Sequence, residues 1–516
     1  MEPQEAIISF FKNKISLQQK ITFISTLIIG CIAHLFAVTN VLHNYDDIRC
    51  TPGGAGAGVT SGRWMIGLIN GVWNKYWGVY NLTFFNGIVV LVLISVSACI
   101  VVRIFEVRKI VNCILIGGVL ITFPSITSML FFTFTAPYYG LAIFLSVLAV
   151  AVYKKKYGVI VSAACIACSM GIYQAYLPLV ITLFILLLLV ECIRNQWKIS
   201  NTIINGIKAL IPIILGLIAY FGILKFFLYY YQIELDKYQG IDSMGQFELK
   251  TLPGLIKKCF RNTLFLFKEE YCSINHTGVI KLGALILMIC ILVFVIYSLY
   301  YRHAGIQNVL SVILLGTFLI IGANSIEIMC PGSSIYCLMV YSMAGLICAP
   351  ILLSELRAEI QNKVREKFIN IWQWVLILTV ACVILNYAWQ ANGNYMSSYY
   401  TTKQTVSYFQ TLVTRIKSVE GYSDQYPVAF IGENYEDDSF SNSWQNTPFW
   451  YGGHTSILIN RYSRDWFMSN YLGYTYETVS DEMLQKLEVE TKDMPSYPDS
   501  GSIAVIDGVV VVKRGQ

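Results

Sequence analysis

The sequence predicts an all-α, polytopic membrane protein with about eleven transmembrane helices and a small C-terminal exoplasmic α/β domain. Of its 516 residues, 56% are hydrophobic and only 13% are charged, whereas soluble globular domains carry about 25% charged residues. The apolar residues fall in long runs, and basic residues follow alternate runs. After residue 390 the composition changes and becomes rich in tyrosine, serine and asparagine. These three observations define a membrane part and a soluble part.

The membrane part is predicted over residues 21–390, after a short cytoplasmic interfacial helix within residues 1–20 whose lysines alternate with apolar side chains. A transmembrane helix needs about 20 apolar residues. The runs that meet this need are 21–42, 80–102, 110–130, 138–153, 157–173, 175–193, 203–230, 278–301, 308–326, 334–354 and 369–390.

The basic residues predict the orientation of these spans. Lysine and arginine collect in cytoplasmic loops of membrane proteins. Here they follow every second span, at Arg103–Lys109, Lys154–Lys156, Arg194–Lys198, Arg302 and Arg357–Lys367. We therefore expect a multi-pass plasma-membrane protein with its N terminus in the cytoplasm and its C terminus outside. The two large polar loops, 43–79 and 231–277, are then outer loops.

Residues 391–516 are predicted to form the exoplasmic soluble domain. The segments PVAFIGEN (427–434) and GSIAVIDGVVVVKRG (501–515) combine β-branched residues with turn residues, as strands do. The segment DEMLQKLE (481–488) has a helical pattern. The net charge of +6 is small for this length and does not indicate a nucleic-acid partner.

The first outer loop carries the residues with the clearest chemical potential. Asp46 and Asp47 stand side by side where the first span leaves the membrane. Adjacent carboxylates at a low-dielectric boundary raise one another's proton affinity. One of them, with a preference for Asp46, can then act as the general base on a hydroxyl group. The alternative is that both are solvated loop charges.

Arg63, later in the same loop, is the natural partner for an anion. Arginine presents a planar fork to a phosphate group. Arg49 is a second candidate of the same kind. The alternative for both is an interfacial arginine that extends to the membrane surface. The glycine run Gly53–Gly58 is not followed by GK[ST], so it is no P-loop, and we interpret it as a hinge or a close-packing segment.

Other polar and aromatic residues of the outer loops are weaker candidates. Lys268 can help to bind a phosphate, and Glu269, Glu270 and Glu327 can line a shared cavity, although helix-end charges are the alternative. Trp64, Tyr138 and Tyr139 can hold sugar rings, although interfacial anchoring also explains them. The histidines show no metal-ligand spacing. No cofactor is predicted, and a divalent metal ion is left open without a motif that indicates one.

The motifs DDIR (46–49) and GRW (62–64), placed in the first outer loop after the first span, resemble the bacterial serotype-converting O-antigen glucosyltransferases. That family belongs to the GT-C superfamily of integral-membrane glycosyltransferases. The resemblance implies a GT-C-like fold and an inverting transfer of a hexose, with glucose expected, from a polyprenyl-phosphate donor to a cell-surface polysaccharide outside. It assigns the acid role to Asp46 and Asp47 and the phosphate role to Arg63 and Arg49.

One family feature is missing, and three other functions remain as alternatives. GT-C enzymes often carry a second acid after the third span, but 132–139 contains none, so Asp46 and Asp47 are expected to supply the base alone.

A polysaccharide polymerase or ligase would rely on a large late outer loop. A lipid-linked sugar transporter or flippase would need ionisable residues inside its spans, where only Lys208 and Lys225 occur near the seventh. A non-catalytic scaffold would not need the first-loop acids.

Overall fold

A computed structural model describes residues 2–514 except 43, 55–57, 79, 238–243, 245–248, 357–365, 433–449, 451 and 453–460. The helices of the described ranges are α1 (Pro3–Asn13), α2 (Leu17–Thr39), α3 (Tyr45–Arg49), α4 (Trp64–Trp77), α5 (Thr83–Ile104), α6 (Ile110–Thr122), α7 (Pro124–Leu130), α8 (Ala136–Val152), α9 (Gly158–Ile172), α10 (Leu177–Asn195), α11 (Ile199–Tyr231), α12 (Leu252–Leu264), α13 (Gly278–Tyr301), α14 (Ile306–Ala323), α15 (Ile326–Met329), α16 (Ala344–Glu355), α17 (Glu366–Ser418), α18 (Arg461–Leu472) and α19 (Asp481–Glu490). The strands are β1 (Val428–Ile431), β2 (Ile503–Ile506) and β3 (Val509–Lys513).

Helices occur at every predicted span. Seven of them are long and apolar enough to cross a membrane, namely α2, α5, α10 with its preceding turn, α11, α13, α14 and α17. The third predicted span is bent by 44° between α6 and α7, where Pro124 cannot continue the hydrogen-bond pattern of α6. The remaining apolar helices, α8, α9 and the segment 341–355, are shorter. The protein is thus a multi-pass membrane protein, and the count of about eleven spans stays a prediction.

The first span begins earlier than its hydropathy indicated. Ser16 caps α2 by accepting a hydrogen bond from the Gln19 backbone, and the Gln19 side chain bonds back to the Ser16 backbone. This reciprocal capping box satisfies two backbone groups and starts the helix at Leu17. The separate helix α1 precedes it, as expected for the N-terminal segment.

Close helix contacts at glycine build the bundle. Helix α2 packs on α5, and the chain of contacts continues from α5 to α8, α9 and α11. At Gly87 of α5 a Cβ atom would come within 2.6 Å of the Val38 side chain on α2, so only glycine fits. Small residues let membrane helices approach in this way. The contacts leave one bundle with a face of loops at each end.

The two faces collect different loops. One face gathers predicted cytoplasmic turns of the described ranges: Arg194 pairs with Glu106 at 3.1 Å, and Arg302 donates to the carbonyl oxygen of Leu356 at 3.1 Å. The other face, which we call the site face, gathers the first loop, the α7–α8 turn, the α9–α10 turn, the loop after α11 and the segment around α15. Which face is cytoplasmic stays a prediction.

The C-terminal region is not separated from the membrane part at residue 390. Helix α17 runs through that position and continues to Ser418. Beyond it, β1 pairs parallel to β3, and β2 pairs antiparallel to β3, with Val428 opposite Val510 and Ile503 opposite Val512. The predicted strands and the predicted helix, α19, are confirmed. The exoplasmic position of this region stays a prediction.

Candidate active site

The short helix α3 fixes the directions of the two adjacent aspartates. The Asn44 side chain caps it, accepting hydrogen bonds from the backbone N–H groups of Asp46 at 2.9 Å and Asp47 at 3.0 Å. Asparagine is a favoured N-cap residue, and carboxylates in the first turn interact well with the helix dipole. This local sequence therefore forms a helix in which Asp46 and Asp47 enter different environments.

Asp47 is completely buried and holds the turn between α7 and α8. Its Oδ1 atom accepts hydrogen bonds from the Asn81 side-chain amide at 3.0 Å and the Phe134 backbone at 3.1 Å. Its Oδ2 atom accepts one from the Thr133 backbone at 3.1 Å, and the Thr133 hydroxyl lies 3.0 Å from Oδ1. Burial raises the pKa of Asp47 to about 7, while these hydrogen bonds oppose the rise. Asp47 thus joins α3 to the turn.

Asp46 instead faces a large cavity on the site face, which we call the central cavity. The central cavity has a volume of about 790 Å³. First-loop residues, three turns, α15 and α18 surround it. Its polar lining consists of Asp46, Arg49, Thr60, Ser61, Arg63, Thr135, Tyr139, Tyr173, Gln174, Asp236, Tyr336 and Tyr462, and its apolar lining includes Phe132, Phe134, Ile326, Met329, Leu338 and Met339.

Helix α18 of the C-terminal region closes one side of the central cavity over Asp46. The Tyr462 hydroxyl donates a hydrogen bond to Asp46 Oδ1 at 3.1 Å. The guanidinium carbon of Arg49 lies 4.9 Å from the centre of the Tyr462 ring, within range of a cation–π contact. A carboxylate, a cation and an aromatic ring therefore meet at one point of the cavity wall.

Arg63 is held at the cavity by aromatic side chains. Its Nη1 atom donates a hydrogen bond to the Tyr139 hydroxyl at 2.9 Å, and its guanidinium carbon lies 4.8 Å from the centre of the Tyr173 ring. The Tyr139 and Tyr173 rings stack on each other at 4.9 Å. This support orients a planar cation toward the space where Asp46 and Arg49 also lie.

Gly62 gives Arg63 its position. Its backbone is left-handed, with φ of +70°, and a Cβ atom would lie 2.4 Å from Gln174 Nε2 and 2.6 Å from the Tyr220 hydroxyl. Tyr220 donates to the Gly62 carbonyl oxygen at 3.1 Å, and Gln174 donates to that of Ser61 at 3.0 Å. Glycine alone fits both the conformation and the space. The predicted glycine hinge includes 55–57, which lie outside the described residues.

The central cavity contains a second carboxylate that sequence reasoning did not select. Asp236 follows α11, accepts a hydrogen bond from the Ser61 hydroxyl at 3.2 Å, and donates its backbone N–H to the Thr60 carbonyl oxygen at 2.8 Å. In the sequence it is one acid among several in a long polar loop, with no motif around it. Tyr462 was likewise one tyrosine among many in the C-terminal region.

Glu269, Glu270 and Glu327 line a different cavity, of about 240 Å³. Glu327 is buried, with 2% of its surface exposed. It pairs with Lys258 of α12 at 2.6 Å and accepts a hydrogen bond from Asn262 at 2.8 Å. Its neighbours Ile326 and Met329 line the central cavity. Helix α15 thus separates the two cavities, and Glu327 anchors it to α12.

The three other predicted residues lie away from the central cavity's described lining. Lys268 is exposed on the turn after α12. Trp64 is buried and stacks on Phe227 of α11, where it also contacts Gly171 of α9. Tyr138 is half-buried beside the core, next to Tyr139, which does line the cavity. Among the described residues no three His, Cys, Asp or Glu side chains are grouped to hold a metal ion.

Comparison with known protein families gives one match, which covers the part of the chain that supplies most of the central cavity. A family model described as glucosyl transferase GtrII matches residues 35–348, more than half of the chain. The match includes Asp46, Arg49 and Arg63 and ends before α17. Neither a curated protein nor a solved structure gives a significant match. The chain therefore belongs to the GtrII glucosyl transferase family, in agreement with the resemblance of the motifs in its first large loop.

Proposed function

We propose that this glycosyltransferase moves glucose from a polyprenyl-phosphate donor to a hydroxyl group of a cell-surface polysaccharide such as O-antigen, with inversion at the anomeric carbon. The observation that carries the proposal is one cavity on a membrane face that brings together Asp46, Arg49 and Arg63. This combination supplies a base for the acceptor and positive charge for a leaving phosphate.

Asp46 is the proposed general base. It lines the central cavity, whereas each carboxylate oxygen of Asp47 already accepts hydrogen bonds from protein groups. In the reaction the acceptor oxygen bonds to the anomeric carbon while its proton passes to Asp46. The bond from that carbon to the donor phosphate oxygen breaks, and polyprenyl phosphate leaves with the electron pair. Asp47 is then a positioning residue, and attack opposite the leaving group inverts the configuration.

Arg63 and Arg49 are the proposed phosphate partners. The leaving polyprenyl phosphate gains a negative charge as its bond to the sugar breaks, so fixed cations nearby lower the barrier. Arg63 is preorganised by Tyr139 and Tyr173 and loses little freedom when it binds. Lys268 lies on an exposed turn and has a smaller part in this proposal.

An apolar cavity supports a donor with a long hydrocarbon chain. Its volume is about 470 Å³, and its lining side chains from α13, α14 and α16 are almost all apolar. Two of them, Leu292 and Ile313, are each 60% exposed on the helix surface, where lipid would lie. An isoprenoid chain is favoured in such a space because it transfers no polar group out of water.

The donor class also follows from the proposed orientation. Among the described residues, basic turns meet on the face opposite the central cavity, where Arg194 pairs with Glu106 and Arg302 donates to Leu356, and basic loops mark the cytoplasm. We therefore place the central cavity at the outer face of the plasma membrane, with the N terminus inside. Nucleotide-sugars are cytoplasmic, so a lipid-linked sugar is the donor that reaches this cavity.

Reconstituted protein tests the donor class directly. Liposomes receive either radiolabelled polyprenyl-phosphate glucose or a nucleotide-diphosphate glucose, together with the polysaccharide. We expect transfer from the lipid donor alone. Arg63→Lys should raise the donor KM about tenfold, because lysine loses the planar fork, while Arg103→Lys on the opposite face should not. Transfer from the nucleotide-sugar without the lipid donor would overturn the proposal.

A further inference from the structure

The C-terminal region contributes part of the central cavity although the family match ends at residue 348. We propose that α18, through Tyr462, binds a pyranose ring of the acceptor polysaccharide and thereby sets acceptor specificity. The proposal rests on the proposed function, since it names the partner of the same site. It adds a specificity-determining residue that lies outside the part of the chain matched to the family.

Helix α18 is tied firmly to the helix that carries the base. The Asn470 side chain donates hydrogen bonds to the carbonyl oxygens of Ile48 at 3.2 Å and Thr51 at 2.7 Å. Ile48 is completely buried in the apolar core of the C-terminal region, where it packs with Phe467 and Met468 of α18. The position of Asp46 relative to α18 is therefore fixed by both polar and apolar contacts.

Tyr462 stands where an acceptor sugar has to lie. A general base must be within about 3 Å of the hydroxyl group that it deprotonates. The Tyr462 hydroxyl is already 3.1 Å from Asp46 Oδ1, so a hydroxyl group that approaches that carboxylate comes next to the tyrosine. Burial raises the pKa of Tyr462, the hydrogen bond with Arg49 lowers it, and the Asp46 charge raises it. The hydroxyl stays protonated and can donate.

The chemistry of the Tyr462 side chain fits a sugar ring. The residue is 46% exposed and its ring lines the cavity. A tyrosine presents an apolar body and a polar tip, which matches the C–H face and the hydroxyl groups of a pyranose. The donor side of the cavity, with Arg63 and Tyr139, lies within the range matched to the family. The C-terminal region, which lies outside the matched range, is therefore placed to select the acceptor and not the donor.

Two substitutions at Tyr462 test the inference in reconstituted, full-length protein. Initial rates are measured with the acceptor varied at saturating donor and then with the donor varied at saturating acceptor. We expect Tyr462→Ala to raise the acceptor KM about tenfold and the donor KM by clearly less, since the lost ring also contacts Arg49. Tyr462→Phe keeps the ring and should restore the acceptor KM to within about threefold of wild type. Tyr400→Ala is the control and should change neither KM, because Tyr400 is 43% exposed on α17 and is not part of the described cavity lining.

The outcomes separate this inference from the proposed function. An acceptor KM unchanged in Tyr462→Ala, or a donor KM that rises equally, would overturn the role of Tyr462. Wild-type protein without any transfer would count against the proposed function instead. The inference can then still be tested by measuring polysaccharide binding in the absence of donor, from the change in intrinsic fluorescence. The Tyr462→Ala variant must bind the polysaccharide more weakly than wild type and the Tyr400→Ala variant do.

Discussion

Asp46 and Asp47 show how two identical neighbours enter different environments. The sequence predicted an acidic pair at a membrane boundary and preferred Asp46 as the base, but no local pattern predicted that the two would have different surroundings. The difference comes from Thr133 and Phe134, which reach Asp47 from 86 and 87 positions away in the chain. Asp46 meets Tyr462 across 416 positions. Contacts of this range follow from the packing of helices and not from any local pattern.

Asp47 should make the stability of the protein depend on pH. Its pKa is raised from 3.8 to about 7 by burial, so the unfolded chain releases this proton more readily than the folded one. Its contribution is fully present below about pH 3.8 and is lost as the pH rises through about 7. Between pH 5 and pH 8 the loss is about 3 kcal/mol.

Thermal unfolding of detergent-solubilised protein checks this prediction. The wild-type melting temperature should fall from pH 5 to pH 8 more steeply than that of Asp47→Asn, which has no carboxyl group to ionise. Subtracting the pH slope of the variant from that of the wild type removes the contribution of all other titrating groups. Equal slopes for the two proteins would show that Asp47 does not carry the dependence.

At the scale of elements, hydropathy was sufficient to locate the apolar helices, because each apolar run is determined by its own composition. The same reasoning could not find the central cavity. Its walls are turns and loop ends such as 58–63 and 131–135, whose positions depend on the helices that they connect. Sequence reasoning also placed a boundary at residue 390, whereas α17 continues beyond it. The helix continues because its C-terminal turns bury Phe409 and Leu412.

The loop before α4 offers a test of how an element positions a side chain. Gly62→Ala should reduce transfer at least tenfold, since the new Cβ meets Gln174 and Tyr220 and the positive φ is strained. The backbone has to shift to relieve this clash and moves Arg63 with it, so the donor KM should rise. Gly67→Ala in α4 meets nothing within 4 Å and is the matched control. Transfer rates are measured per amount of folded protein. Equal rates for the two variants would contradict this role of Gly62.

The apolar cavity can be tested by filling it. Gly316 of α14 lines it, and a Cβ atom at this position would meet nothing within 4 Å. Gly316→Phe should therefore raise the KM for a long polyprenyl donor several-fold and leave that for a short-chain analogue unchanged. Gly206→Phe on α11, where a Cβ also meets nothing within 4 Å, is the control. If both donors are affected alike, this cavity is not where the chain lies.

The whole molecule combines a helix bundle with a C-terminal region that helps to line its central cavity. Ile48 of the first loop completes the core of that region, so the two parts are joined at the site itself. From the sequence, the alternation of basic loops predicted which loops share a face. The sequence could not predict that the tyrosine-rich region folds back over Asp46, because the pattern of tyrosines in a polar segment does not indicate which residues they contact.

Membrane orientation is the prediction that belongs to this scale. A reporter enzyme active only outside the cytoplasm, fused after Gln516, should be active, because the positive-inside rule places that end outside. The same reporter inserted at Lys155, in a basic turn of the opposite face, should be inactive. The reverse pattern would place the central cavity in the cytoplasm and remove the reason for a lipid-linked donor.

The most direct test of the proposed chemistry is the single-turnover rate of glucose transfer in Asp46→Asn, with saturating polyprenyl-phosphate glucose and polysaccharide. If Asp46 is the base, the rate should fall by about 10²- to 10⁴-fold, while donor binding and the melting temperature stay close to wild type. Asp47→Asn should instead lower the melting temperature. A wild-type transfer rate in Asp46→Asn would contradict the assignment of Asp46 as the base.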